Sequence, residues 1–283
     1  MEISRTLSRL QARGEAMRVH FDLGLRAYDG GDADGVRRHR AAVGMLPEGG
    51  PACLAFLALH WRALWLEEQR EQALEVVREA ARRFPDDVDT VLELADVLHD
   101  MDADAEAAEV LMAAAGAHED DPELWYEAGV AAERVEDWER RLASFKRVWE
   151  LERDSEPPFR LWLPEERFVA VAEEAIERLP EHIREALGNV AIVVEDYPEA
   201  WIFETDVADS RILGLFDGPE RAQERGVDFV ATGPTRIYLF RWNIERMCGS
   251  PEEVEEQVEI TVLHEIGHYL GLDEDELEMR GLG

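Results

Sequence analysis

Two histidines four residues apart, with a glutamate between them, are the strongest chemical signal in the chain. They stand in the run HEIGHYLGLDE as His264, Glu265 and His268. An α-helix turns once in about 3.6 residues, so positions i and i+4 share a face one turn apart. Two imidazoles placed that way can bond one metal ion, and zinc accepts such nitrogen ligands. Glu265 lies about 100° around the helix from His264, poorly placed as a third ligand beside the pair. A carboxylate there can instead take the proton of a metal-activated water as it attacks a carbonyl. It can then return that proton to the leaving amine. The plainer alternatives are two ordinary surface histidines and a solvent-facing glutamate.

A catalytic zinc usually has three protein ligands and one open position. The third must come from elsewhere, and Gly271 offers a way, because a glycine here can end the helix and turn the chain back past the metal. In metzincin-type motifs, H-E-x-x-H-x-x-G-x-x-H, the third ligand lies three residues after the glycine. Here that position is Glu274, a carboxylate in place of a histidine, with Asp273 and Asp275 as adjacent competitors. Asp273 followed by Glu276 also reads as a helix-start capping box, the alternative role for this acidic run.

The helix carrying these groups has a clear beginning. Ser250 suits the N-cap, Pro251 the first helical position, and Glu253 the reciprocal position of a capping box. Val254, Val258, Val262, Ile266 and Tyr269 recur at spacings of three and four, which predicts one apolar stripe from there to Gly271.

The rest of the chain has two grammars. Residues 1–152 read as helix throughout, broken at DGGDADG, LPEGGP, RFPDD and EDDPE. A shift of 34 residues aligns Leu57, Val91 and Trp125, then Trp61, Ala95 and Gly129. It also aligns Ala73, Ala107 and Arg141, then Val77, Leu111 and Phe145. This resembles the tetratricopeptide repeat, a helix–turn–helix unit of that period, and implies a solenoid whose concave face binds a peptide or protein. Trp61 and Arg141 stand where small residues are usual. A poorer unit is expected around Phe21 to Leu46, with an irregular junction at 47–53. A generic antiparallel helical bundle is the alternative.

Paired prolines in RDSEPPFRLWLP mark the boundary. Beyond it, Glu165 to Leu187 reads as helix broken or kinked near Pro180. NVAIVVED (189–196), VDFVAT (227–232) and TRIYLFRW (235–242) read as strands, with RILGLF (211–216) a further short one. The predicted fold is thus an α-helical repeat solenoid over 1–152, followed by a small α+β domain over 160–283. LPEHIREALGNVAIVVED, ILGLF, TRIYLFRWNIE and EEQVEITVLHEIGHYLGLDEDEL, in that order, make residues 160–283 resemble the small bacterial zincin-like metallopeptidases. The resemblance implies a minimal zincin fold with His264, His268 and Glu274 as zinc ligands and Glu265 as catalytic base.

Charge narrows the partners. The chain holds 64 acidic against 30 basic residues, a net charge of −34. Phosphate polymers and anionic membranes are repelled by such a surface, so neither nucleic acid nor a membrane is expected. A basic peptide or protein fits it better. Two cysteines, Cys53 and Cys248, form no framework, and Cys248 has no base partner to make it a nucleophile. The N-terminal run lacks the apolar core of a secretory leader, and a reducing cytoplasm is expected. The sequence thus predicts a zinc-dependent peptidase with a repeat domain that docks a substrate or partner. The alternative is a non-catalytic interaction protein with a metal-stapled domain.

Overall fold

The computed structural model describes residues 2–43, 50–157, 159–187, 190–205, 207–218, 235–272 and 276. The expected strand at 227–232 and the acidic run 273–275 lie outside them. The chain separates into two compact units, Met1–Ser144 and Phe145–Gly283, and the division falls within a helix. No helix among the described residues is long and apolar enough to cross a membrane.

The first unit is built from helix hairpins: α1 (Glu2–Asp29) with α2 (Ala33–Val43), α3 (Pro51–Leu66) with α4 (Arg70–Arg83), and α5 (Val88–Asp100) with α6 (Asp104–Ala117). Then come α7 (Pro122–Arg134) and α8 (Trp138–Glu152), the helix that contains the division. The 34-residue period is written into the backbone. Glu68, Asp102 and Glu136 take φ of 60°, 58° and 58°, in the turns after α3, α5 and α7. Around them the amide of Gln69 donates to Leu64 O, Ala103 to Leu98 O and Asp137 to Ala132 O, each at 2.9 Å. These are helix C-terminal caps of the Schellman kind, and they satisfy carbonyls that the helix end would leave bare. The α1–α2 turn uses Gly31 (φ 70°), set further from Glu68 than the repeat period, as the expected irregular junction requires. Between hairpins, Asp87 and Asp121 accept from the amides of Thr90 and Leu124, N-caps in the same register.

Small residues sit where helices cross: Ala73, Ala95, Ala107 and Ala128 are fully or almost fully buried beside Val77, Leu98, Leu111 and Leu124. The two off-pattern residues are accommodated by polar partners. Trp61 is buried, and its indole N–H donates to Glu93 at 3.0 Å. Arg141 is drawn in and pairs with Glu133 at 2.9 Å.

In the second unit, α9 (Glu165–Glu177) and α10 (Glu181–Leu187) precede β1 (Val190–Glu195). A short 3-10 turn over Ala200–Glu204, β2 (Gly214–Asp217), β3 (Thr235–Phe240), α11 (Arg241–Arg246) and α12 (Pro251–Tyr269) follow. The sheet order is β1-β3-β2, with β1 parallel and β2 antiparallel to β3. Ile237 and Leu239 are fully buried in a core shared with Phe168 and Val171 of α9 and Val258 and Val262 of α12. Tyr238 alternates to the other face, where its ring lies 5.0 Å from that of Trp201.

Residues 165–187 are broken near Pro180 into two helices, as expected, because Pro180 cannot continue the first and its carbonyl instead starts the second. One expectation needs correction: the strand over 235–242 ends at Phe240. Arg241 and Trp242 are helical, since Arg241 Nε reaches Glu245 one turn on at 2.9 Å. Glu245 is 1% exposed and also accepts from the amides of Trp162 and Leu163. That carboxylate ties the entry to α9 onto α11.

A left-handed conformation costs a residue with a side chain about 1–2 kcal/mol, a cost glycine avoids. Glu136 and Asp102 are exposed, so glycine there loses no packing. Glu136→Gly and Asp102→Gly are each expected to stabilise the repeats by about 0.5–1 kcal/mol. Thermal melts followed by circular dichroism check this, and a lowered Tm in both would contradict the turn assignment.

Candidate metal centre

Helix α12 starts where its sequence places it. Ser250 Oγ accepts from Glu253 N at 3.2 Å. The reciprocal bond closes one residue earlier than a standard capping box, for Glu253 Oε2 accepts from Gly249 N at 2.7 Å. The helix ends at Gly271, with φ 81°. Gly271 N donates to His268 O, and Leu272 N reaches Gly267 O at 3.0 Å.

Rotation about the α12 axis follows from its apolar stripe. Val254, Val258, Val262 and Ile266 are all essentially buried. Successive residues advance about 100°, which sets His264 and His268 on one flank of that stripe. Their Nε2 atoms lie 2.9 Å apart, and their ring centroids 4.5 Å, with the rings nearly perpendicular. Zinc bonds imidazole nitrogen at about 2.0–2.1 Å, so one ion can reach both nitrogens from a single point. The donor set therefore fits zinc as far as it is described. Among the described residues no third His, Cys, Asp or Glu completes the group. Glu274, with Asp273 and Asp275, lies outside them.

Glu265 does not face solvent. It is seven residues after Val258, within the buried stripe, and is 7% exposed. A carboxylate taken from water needs donors in exchange. The amide of Phe216 supplies one, donating to Glu265 Oε2 at 2.8 Å. Strand β2 can do this because of its register. Phe240 N bonds Leu213 O, so the alternation of an antiparallel ladder turns the backbone of Gly214 and Phe216 away from β3. Gly214 leaves the room: a Cβ there would stand 2.8 Å from Thr261 Cγ2 and 3.2 Å from Glu265 Oε1.

His264, Glu265 and His268 all line one cleft of about 470 Å³. Apolar side chains complete the lining: Val207, Ile212 and Leu215 in and before β2, Met247 after α11 and Ile260 on α12. Met247 is 60% exposed at the rim. No lysine or arginine is among the lining residues that are described. Sequence reasoning found the three polar groups but missed Gly214, the Phe216 amide and Met247. A glycine inside the short strand RILGLF was the one available signal, since such a glycine often marks close backbone approach.

Behind the cleft, Glu152 at the end of α8 accepts from Arg211 at 3.0 Å, Arg246 at 2.9 Å and the Tyr197 hydroxyl at 2.9 Å. Arg211 precedes the Ile212 wall and Arg246 precedes Met247, so one carboxylate anchors both flanks. Cys248 donates to Ile244 O at 3.2 Å. Burial, with Glu253 and Glu245 nearby, pushes its thiol up to about 11, so it stays protonated and non-nucleophilic at neutral pH.

Residues 187–282 match the model of the zincin-like metallopeptidase family. No curated protein matches the chain. Among solved structures, the crystal structure of MamA protein is similar over 53% of this chain and 100% of that one, at 13% identity and a TM-score of 0.33.

Gly214→Ala forces β2 and α12 apart by a few tenths of an ångström. The expected result is a loss of about 1–3 kcal/mol of stability, the usual cost of overpacking. Urea unfolding of the full chain measures it. Wild-type stability in this variant would show that β2 does not rest on Glu265 as described.

Proposed function

We propose that the chain is a zinc-dependent peptidase of a reducing, cytoplasmic compartment. A repeat domain over 1–152 docks the substrate or a partner protein, and a catalytic domain occupies 160–283. The observation that carries this reading is the 2.9 Å approach of His264 Nε2 and His268 Nε2 in the cleft that also holds Glu265. The family match over 187–282 supports it. His264, His268 and Glu274 hold the metal, and Glu265 is the catalytic base. Zinc bound there supplies a Lewis acid that polarises a carbonyl and lowers the pKa of water to about 7.

The chain's own groups do the rest. The Phe216 amide holds the Glu265 carboxylate in the cleft, where it can accept a proton. It takes that proton from the attacking water and delivers it to the leaving nitrogen. The outward backbone of Gly214 on the edge strand gives an extended peptide a partner for strand addition. The apolar walls favour an uncharged, apolar side chain beside the scissile bond.

A second reading has one observation in its favour. A carboxylate that is 7% exposed and bonded to a strand amide is also what a purely structural glutamate looks like. In that case the metal staples a binding domain.

Elemental mass spectrometry on tag-free full-length protein separates these. The expected result is close to one zinc per chain, and none in His264→Ala/His268→Ala. Glu265→Ala is expected to keep the metal and lose turnover of a peptide library by about 10²–10⁴-fold. Zinc without turnover in the wild type would favour the staple, and no zinc after reconstitution would end both readings.

A further inference from the structure

The first helices of successive repeats line a groove within the first unit. It consists of adjoining cavities of about 390 and 150 Å³ that share Asp96 and His99. Tyr28, Trp61 and Trp65 of α1 and α3 form one wall of the larger cavity, and Glu93, Asp96 and Asp100 of α5 form the other. The repeat register puts them there. Tyr28, Trp65 and His99 each stand three residues before the left-handed residue of their turn, and Arg62, Asp96 and Val130 six before theirs. The groove therefore follows one surface of the repeats from α1 to α7.

Its charges do not cancel. Glu93 is matched inside the groove, accepting from Arg62 at 2.6 Å and from the Trp61 indole at 3.0 Å. Asp96 and Asp100 make no ion pair or hydrogen bond among the described residues. Burial, then the charges of Asp100 and Glu93, raise the Asp96 carboxyl above its ordinary value, with Arg134 and His99 opposing. The aromatic wall already accepts flat cations. The guanidinium of Arg70 lies 3.6 Å from the Trp65 ring centre, and that of Arg62 lies 4.4 Å from that of Trp61. Rings and carboxylates around one cavity are complementary to a cation with an apolar stem.

We infer that this groove docks a basic segment of a partner protein, seating lysine or arginine side chains in the cavity between the aromatic wall and α5 with their charges toward Asp96 and Asp100. The inference rests on reading the repeats as a docking surface and is independent of the metal site. Specific docking must be told apart from diffuse attraction, because a net charge of −34 attracts any polycation.

The experiment uses the full chain carrying Glu265→Gln, so that a bound peptide is not cut. The probe is a short fluorescein-labelled peptide alternating arginine and alanine, followed by anisotropy. Saturable binding is expected. Asp96→Asn/Asp100→Asn is expected to weaken it by about tenfold or more. Asp86→Asn/Asp89→Asn removes the same charge from exposed positions outside the groove and is expected to weaken it by less than about twofold. Asp96→Asn relieves repulsion, so this variant should melt no lower than the parent at pH 7, an advantage that disappears in acid below about pH 4. Should the double variant unfold nonetheless, Asp100→Asn alone carries the test. Equal losses in the groove and control variants would overturn the inference in favour of diffuse attraction. Equal binding of a glutamate–alanine peptide would overturn the basic partner while leaving the repeats a docking surface. No peptide binding at all would overturn both, without touching the metal-site reading.

Discussion

Burial of Val254, Val258, Val262 and Ile266 fixes the rotation of α12, and everything chemical in the second unit depends on that rotation. With the stripe against the sheet and α9, the two imidazoles fall on its flank and share the cleft. Glu265 falls inside the stripe, where a charge is costly. The cost is offset by a backbone amide from the edge strand. A helix turned by one residue would bury a histidine and expose the glutamate. The hydrophobic pattern thus does the positioning that the metal chemistry needs.

The repeats show a similar economy. The turns after α3, α5 and α7 each place a side-chain-bearing residue in the left-handed region, at Glu68, Asp102 and Glu136, where glycine would be more comfortable. All three are acidic and exposed, so they add to the chain's negative surface at some expense in backbone energy. Departures from the repeat pattern are absorbed by polar partners instead of by rearranged helices. Trp61 keeps its place by bonding Glu93, and Arg141 by pairing with Glu133.

Local signals made much of this legible from sequence. The Ser250 cap, the valine spacing and Gly271 mark α12 almost to the residue, because caps and periodicity act within a few positions. The 34-residue register was visible in Leu57, Val91 and Trp125 for the same reason. Glu265 was readable as a helix position but not as a buried one, although its place seven residues after Val258 carried that information. Its amide partner was not readable, since the register of β2 on β3 is a long-range pairing that RILGLF alone does not specify. Arg241 misled in the same way. Its strand-like neighbours, Leu239 and Phe240, outweigh a helix start that depends on the buried Glu245.

The parallel pairing of β1 with β3 has a kinetic consequence. Val190 must find Thr235, and α9 must find α12, where Arg167 meets Glu255 at a separation of 88 residues. Contacts between distant parts of a chain form late, since the loop must close before they reward it. The hairpins of the first unit close over short turns and need no such search. On a ribosome they would be complete while the second unit still lacks α12, with the β1 segment made and its strand partner not yet paired. That interval leaves Ile192 and Val194 open to pairing with other chains. An array that folds early and is itself acidic would travel with this exposed segment and add to the repulsion between such chains.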